Sequence, residues 1–279
     1  MDRAACDNGH KMLNYLYLDY GGRARYRREL KYSLISLRAE LPSDARIVIY
    51  TDAPAVYSNW PVTAVDIADR IAPWSGGGLY HHRIKPAAVA DALDRFGAPV
   101  LFLDSDSIIR PGFHAEAAEK MKAAVVMNRI EKTNPFPPLA GFRTRLPHLG
   151  AYHYDKAKSW MVNSGLIGMR PEHRPLLDDT LAMIDALIGR AHKFPTVEQF
   201  ALSEVLRLSG TPVAEIHGTF LHYWQGRRRV YMANRIAKTL SPDWDDLSPP
   251  KRWATMNYWA VRAYNYWYGI RSLGRAVAE

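Results

Sequence analysis

The chain has 279 residues, 48% of them hydrophobic, enough for one large core or a core with a small appendage. Its 37 Lys and Arg against 28 Asp and Glu give a net charge of +9, yet residues 225–279 alone hold ten basic and four acidic residues, and the nearly balanced remainder excludes a body that wraps a nucleic-acid backbone. A single cysteine, Cys6, excludes an internal disulfide and any cysteine-built zinc or iron–sulfur site; no run reaches the ~18 apolar residues of a membrane span, and the polar leader 1–11 has no apolar signal region, so a cytoplasmic location is expected.

After the leader, Met12 to Leu18 reads as a strand, and Tyr26 to Leu41 carries apolar residues at helical spacing until Pro42 stops it. Arg46 to Asp52 is a buried strand and Val62 to Ile67 a shorter one; Pro86 opens a helix running to Phe96, and Pro99 introduces the apolar strand Val100 to Leu103. Residues 129–160 break the rhythm with a Pro-rich stretch at Asn134 to Pro138, an excursion expected to pass over the site. A strand or turn at Met161 to Met169 follows, then helices from Arg174 to Ile188 and from Glu198 to Leu208, and a strand near Val213 to Ile216. Strands alternating with helices predict an α/β fold, Rossmann-like, with a mostly parallel sheet flanked by helices. Ligands of such sheets gather beyond the carboxyl ends of the strands. Asp19 and Tyr20, Thr51 and Asp52, and Asp104 to Asp106 all stand there.

The sharpest motif is Asp104-Ser105-Asp106, directly after an apolar strand. Alternation along a continuing strand would point both carboxylates to one side. Two hard oxygen ligands suit Mg²⁺ or Mn²⁺ and leave coordination positions for water and diphosphate oxygens. Short Asp pairs also cap helices and close turns; the position after Val100 to Leu103 favours the metal. Asn163-Ser164-Gly165 offers an amide, a hydroxyl and a bare backbone that a sugar can approach closely. Glu198 and Gln199 open a helix, where Glu198 also complements the helix dipole. Arg83 and Lys85 precede the expected helix start, a position suited to anions or to a solvated charged face.

The segments YLDYGG, Arg83-Ile-Lys85, VLFLDSDS, WMVNSGLIGMR, PTVEQFAL and LHYWQGR, spread over residues 12 to about 229, together resemble GT-A glycosyltransferases, and in their order the family 8 type of retaining enzymes. The resemblance implies a GT-A catalytic domain over residues 12–240 that moves a sugar from a nucleoside-diphosphate donor, a UDP-sugar in the favoured case, to a glycan or lipid-linked acceptor in bacterial surface polysaccharide or lipopolysaccharide synthesis. It implies Asp104, Asp106 and His222 on Mn²⁺ or Mg²⁺, with His217 the nearest competitor of His222. It further implies Asp104, Ser105, Asn163, Ser164, Gly165, Arg83 and Lys85 on the donor, and Glu198 and Gln199 beside the reacting carbon. Asp19 with Tyr20 would hold the base, Asp52 being the other candidate. His222-Tyr-Trp-Gln-Gly-Arg227 matches the family's His-Tyr-x-Gly-x-x-Lys segment with Gly226 one place late, so Arg227 or Arg228 takes the place of the diphosphate-binding lysine. The family's usual Asp before Gln is Glu198 here.

A sugar nucleotidyltransferase is the alternative enzyme, disfavoured because Tyr20-Gly-Gly-Arg-Ala-Arg25 is a poor version of its Gly-rich loop. A non-catalytic, membrane-associated sugar-binding module is the other alternative. It draws on residues 241–279, a basic, aromatic extension in which Trp253, Met256, Ala260, Ala263, Trp267 and Ile270 would share one seam of a helix. That seam either packs on the catalytic domain or, with Lys251, Arg252, Arg262, Arg271 and Arg275 beside it, docks on an anionic membrane surface at its inner face.

Overall fold

The computed structural model describes residues 12–43, 45–131, 139–190, 194–240 and 247–254. The leader with Cys6, the stretch Asn134 to Pro138 and the extension beyond Ala254 lie outside them. Strand β1 (Asn14–Asp19) leads to helix α1 (Ala24–Arg38), β2 (Arg46–Thr51), β3 (Thr63–Asp66), the single turn α2 (Ile71–Trp74), α3 (Ile84–Phe96) and β4 (Val100–Leu103). Then come β5 (Ser107–Ile109), α4 (Phe113–Met121), β6 (Val125–Glu131), β7 (Arg143–Leu146), β8 (Gly150–His153) and β9 (Met161–Met169). The described elements end with α5 (Arg174–Gly189), α6 (Val197–Ser209), β10 (Val213–Glu215), β11 (Phe220–His222) and α7 (Gly226–Thr239).

A seven-stranded sheet runs in the order β10-β6-β9-β4-β1-β2-β3. Its pairings are parallel except at β9, which lies antiparallel between β4 and β6. The expected α/β architecture with a mostly parallel sheet is thus present, with one reversed strand at its centre. Helices cover both faces, so β4 and β9 are buried at every position and read as continuous apolar runs. Successive side chains of β1 divide between the layers: Tyr15 and Tyr17 pack with Leu30 and Leu34 of α1 and Phe113 of α4, while Leu16 packs with Val89 and Leu93 of α3 and Leu202 of α6.

Helix α3 begins two residues before Pro86, because the first-turn N–H groups have no helical partner and a proline there sacrifices nothing. It ends at Gly97, whose φ of 55° is left-handed and whose N–H closes on Leu93 O. The excursion after residue 131 resolves into the hairpin β7–β8. Its Leu146 and Tyr152 pack on Met183, Ile184 and Phe200 of α5 and α6, and Tyr152 Oη donates to the fully buried Glu204 at 2.8 Å.

Two short strands position the acidic loop. Antiparallel β5 and β11 place Ser107 opposite His222, so Asp106 and His222 meet across 116 residues of chain. Of the expected C-terminal seam only Trp253 is described. It sets its ring edge-on to Tyr32 of α1 at 5.6 Å, while Ala254 N–H donates to Tyr32 Oη. Among the described residues, no helix is long and apolar enough to cross a membrane.

Candidate functional site

Strand β4 stops at Leu103, and residues 104–106 form a bend before β5. Strand alternation therefore does not aim the two carboxylates; the bend does. A chain of hydroxyls holds the bend from below: Tyr17 Oη lies 3.0 Å from Ser33 Oγ, Ser33 Oγ 2.9 Å from Ser107 Oγ, and Ser107 Oγ donates to Asp104 O at 2.7 Å. From the sides, Asp104 N–H donates to Gly165 O at 2.9 Å and Tyr223 N–H to Asp106 O at 3.1 Å.

Asp104, Asp106 and His222 each direct one donor atom to a common point, all within 4.8 Å of one another. His222 Nε2 lies 3.2 Å from Asp106 Oδ1 and 3.5 Å from Asp104 Oδ2. Its Nδ1 lies 3.0 Å from Asn163 Oδ1, an acceptor, which keeps a proton on Nδ1, while Nε2 faces the carboxylates, donating to Asp106 when protonated and offering its lone pair to a cation when not. Asn163 is itself fixed, because the same oxygen accepts from Gly165 N–H and from Asn128 Nδ2 at 3.1 Å each. Gly165 is needed for close approach: a Cβ there would stand 2.2 Å from His222 Nδ1. Burial pushes the Asp106 carboxyl up, but the hydrogen bond and charge of His222, with the charges of Arg229 and Lys85, outweigh it and hold it down to about 2. An oriented imidazole and two carboxylates form a donor set that could hold a metal ion.

Cations already flank the acids. Lys85 is 8% exposed, with Nζ 3.0 Å from Asp104 Oδ2, 3.1 Å from Ser164 O and 3.9 Å from Glu198 Oε1. Burial lowers its affinity for the proton, and Asp104 and Glu198 more than restore it. Arg229 Nη1 lies 3.1 Å from Asp106 Oδ2, while its Nε and Nη2 grip the buried Glu29 of α1, with Nη2 to Oε2 at 2.5 Å. Glu198 is more than a helix-dipole partner: its Oε1 accepts Ser164 Oγ at 2.8 Å and its Oε2 accepts Tyr80 Oη at 2.9 Å. Burial and the Glu198 charge push the Tyr80 hydroxyl upward, keeping it a donor. Gln199 Oε1 accepts Ser164 N–H at 3.1 Å. Neither a protein-family model nor a curated protein sequence matches this chain.

The sequence candidates therefore divide. Asp104, Asp106, His222, Asn163, Ser164, Gly165, Lys85, Glu198 and Gln199 form one connected cluster, with Ser105 in the bend itself. Tyr20 stands half-buried at its edge, where the charges of Lys85 and Asp104 act on its hydroxyl in opposite senses. Asp19 is buried with Oδ2 taken by Tyr57 Oη at 2.5 Å and Arg27 Nε at 3.0 Å, and Asp52 accepts Gly21 N–H at 2.8 Å, joining the loops after β1 and β2. Arg83 is turned to α5, where it grips Asp185 through Nε and Nη2 at 2.7 and 2.9 Å. Arg227 and Arg228 are exposed at the start of α7, and the arginine that reaches Asp106 is Arg229. His217, the competitor of His222, is exposed and outside the three-donor set.

Sequence reasoning missed Arg229, Glu29, Ser33 and Tyr80. Two signals existed. Arg229 repeats with Met232 and Ile236, the buried residues of α7, at helical spacing, and Glu29, Ser33 and Ser36 form a polar stripe at i, i+4 and i+7 among Leu30, Leu34 and Leu37.

Proposed function

We propose that this chain is a metal-dependent glycosyltransferase of the GT-A type, similar to family 8, which moves a sugar from a nucleoside-diphosphate donor to a glycan or lipid-linked acceptor with retention of anomeric configuration. One observation carries the reading: two carboxylates and an imidazole oriented by Asn163 converge at the carboxyl end of a central strand, and the Ser164, Glu198 and Gln199 cluster adjoins them through Lys85. A divalent cation held by Asp104, Asp106 and His222 would supply positive charge to a leaving diphosphate.

The chain's own residues supply the rest. Lys85 and Arg229 bring two fixed cations to the same acids and so favour a polyanion there. Asn163, Ser164 and Gln199 lie on rigid elements, β9 and the first turn of α6, which suits them to orient sugar hydroxyls. Glu198, held by Tyr80 and Ser164, keeps a carboxylate beside that position to stabilise developing positive charge at the reacting carbon.

The test is Asp106→Asn. Wild-type protein should release nucleoside diphosphate from a UDP-sugar only with Mn²⁺ or Mg²⁺ and lose that activity in excess chelator. The variant should lose both activity and Mn²⁺-dependent nucleotide binding while melting as a folded protein. NMR of the fresh product reads the anomer. Full activity in chelator, or pyrophosphate as the released product, would remove the proposal.

A further inference from the structure

Next to the three-donor cluster lies a second feature, a pocket of about 350 Å³ enclosed by the ends of β6 and β9 and the turn from β11 into α7. It shares His222 and Asn163 with the cluster and includes neither Asp104 nor Asp106. Its floor is polar and rigid: Asn128 and Asn163 are 7% and 2% exposed, and the bond from Asn128 Nδ2 to Asn163 Oδ1 fixes both amides. Its walls carry Arg129 and Arg228. The opposing acid in the lining is Glu215, whose carboxylate accepts the Ile130 N–H, and Glu131 lies 3.6 Å from Arg129 Nη2. At the mouth stands Trp224, 44% exposed, its ring centroid 6.4 Å from that of His222.

Each part selects a chemistry. Fixed amides recognise hydroxyl groups. An exposed indole offers a flat apolar face to the C–H side of a pyranose ring, with a polar N–H at its edge. Guanidinium groups in the lining pair with phosphate or carboxylate oxygens, a preference that a neutral sugar does not meet. A pocket of this size takes one to two sugar rings. We propose that it binds a sugar bearing a phosphate or carboxylate group, held as the acceptor with a hydroxyl turned toward His222 and Asn163. The acceptor role rests on the transferase reading; the binding itself does not.

The experiment uses the full chain without metal or nucleotide. Saturation-transfer NMR and calorimetry compare the 6-phosphates of glucose, galactose and mannose, the corresponding uronic acids, the neutral sugars and inorganic phosphate. At least one acidic sugar should bind ten times or more tighter than its neutral counterpart, the factor that one charge-assisted contact supplies. Arg129→Gln with Arg228→Gln should abolish that discrimination, and Trp224→Ala should weaken the acidic sugar several-fold while leaving inorganic phosphate unchanged. Neutral and acidic sugars binding alike, discrimination surviving the double arginine variant, or indifference to Trp224→Ala would each overturn the proposal. Mn²⁺-dependent UDP binding, measured in parallel, separates the two readings. Donor binding without acidic-sugar binding removes the pocket proposal alone; acidic-sugar binding without donor binding removes the acceptor role and the transferase reading together.

Discussion

Gly165→Ala probes the site through its tightest contact. The added Cβ would stand 2.2, 2.3 and 2.8 Å from Nδ1, Cε1 and Cγ of His222. Ordinary contact begins at 3.4 Å, so the imidazole must retreat by more than an ångström. Such a shift breaks the 3.0 Å bond to Asn163 and carries Nε2 away from Asp106, now 3.2 Å distant. The three-donor set becomes a pair of carboxylates without an oriented imidazole, for which a loss of about 100-fold in Mn²⁺ affinity is expected. Crowding costs about 1–3 kcal/mol of stability in addition. Gly168→Ala, three residues along the same strand, is the matched control: its Cβ would meet Leu101 Cδ1 at 2.8 Å and Val126 Cβ at 3.0 Å, side chains remote from the acids. It should lower the melting temperature comparably and leave Mn²⁺ affinity intact. Electron paramagnetic resonance of free Mn²⁺ in titrations of the three proteins gives the affinities, and thermal melts give the stabilities. Wild-type affinity in Gly165→Ala, or an equal loss in Gly168→Ala, would refute the placement of His222 as a ligand.

Two further substitutions separate the roles of the flanking cations. Arg229→Ala leaves the 1%-exposed Glu29 with Arg25 alone, 3.5 Å away, and removes a neighbour of Asp106, a change expected to cost about 2 kcal/mol and to lower the melting temperature by roughly 4 °C, with Arg229→Lys recovering part of the loss in calorimetry. Lys85→Met removes a positive charge 3.0 Å from Asp104, so Mn²⁺ alone should bind several-fold more tightly while UDP binds about tenfold more weakly; parallel losses of both in calorimetry would contradict the assignment of Lys85 to the diphosphate.

Much of the scaffold was legible because β1, β2, β4 and β9 are buried on both faces and leave unbroken apolar runs, while α1, α5 and α6 carry helical spacing between proline and glycine boundaries. The direction of β9 was not, since an apolar run has no polarity; its reversal is what brings Asn163 to Gly165 beside the end of β4, where Leu166 pairs with Leu103. Strands β5 and β11 have three residues each and exist through their mutual pairing, which no local pattern announces. Within the site, Asp104 and Asp106 were legible from their place after β4, though a bend rather than strand alternation aims them. The pairing of Arg83 with Asp185 was not legible, because the partner comes from a helix a hundred residues later. Arg229 was hidden among three consecutive arginines, and the phase of α7 decides which one turns inward.

The reach of α7 across α1 sets an order of assembly. The bond from Glu29 to Arg229 closes a loop of 200 residues, and that between Tyr32 and Ala254 one of 222, whereas the sheet from β1 to β4 is complete by residue 103. A growing chain therefore acquires its acids 116 residues before the imidazole that joins them, and over that interval Asp104 and Asp106 stand without it. The three-donor set can assemble only when residues 222–229 have left the ribosome and docked, so its completion reports a chain in which all seven strands of the main sheet have already been laid down.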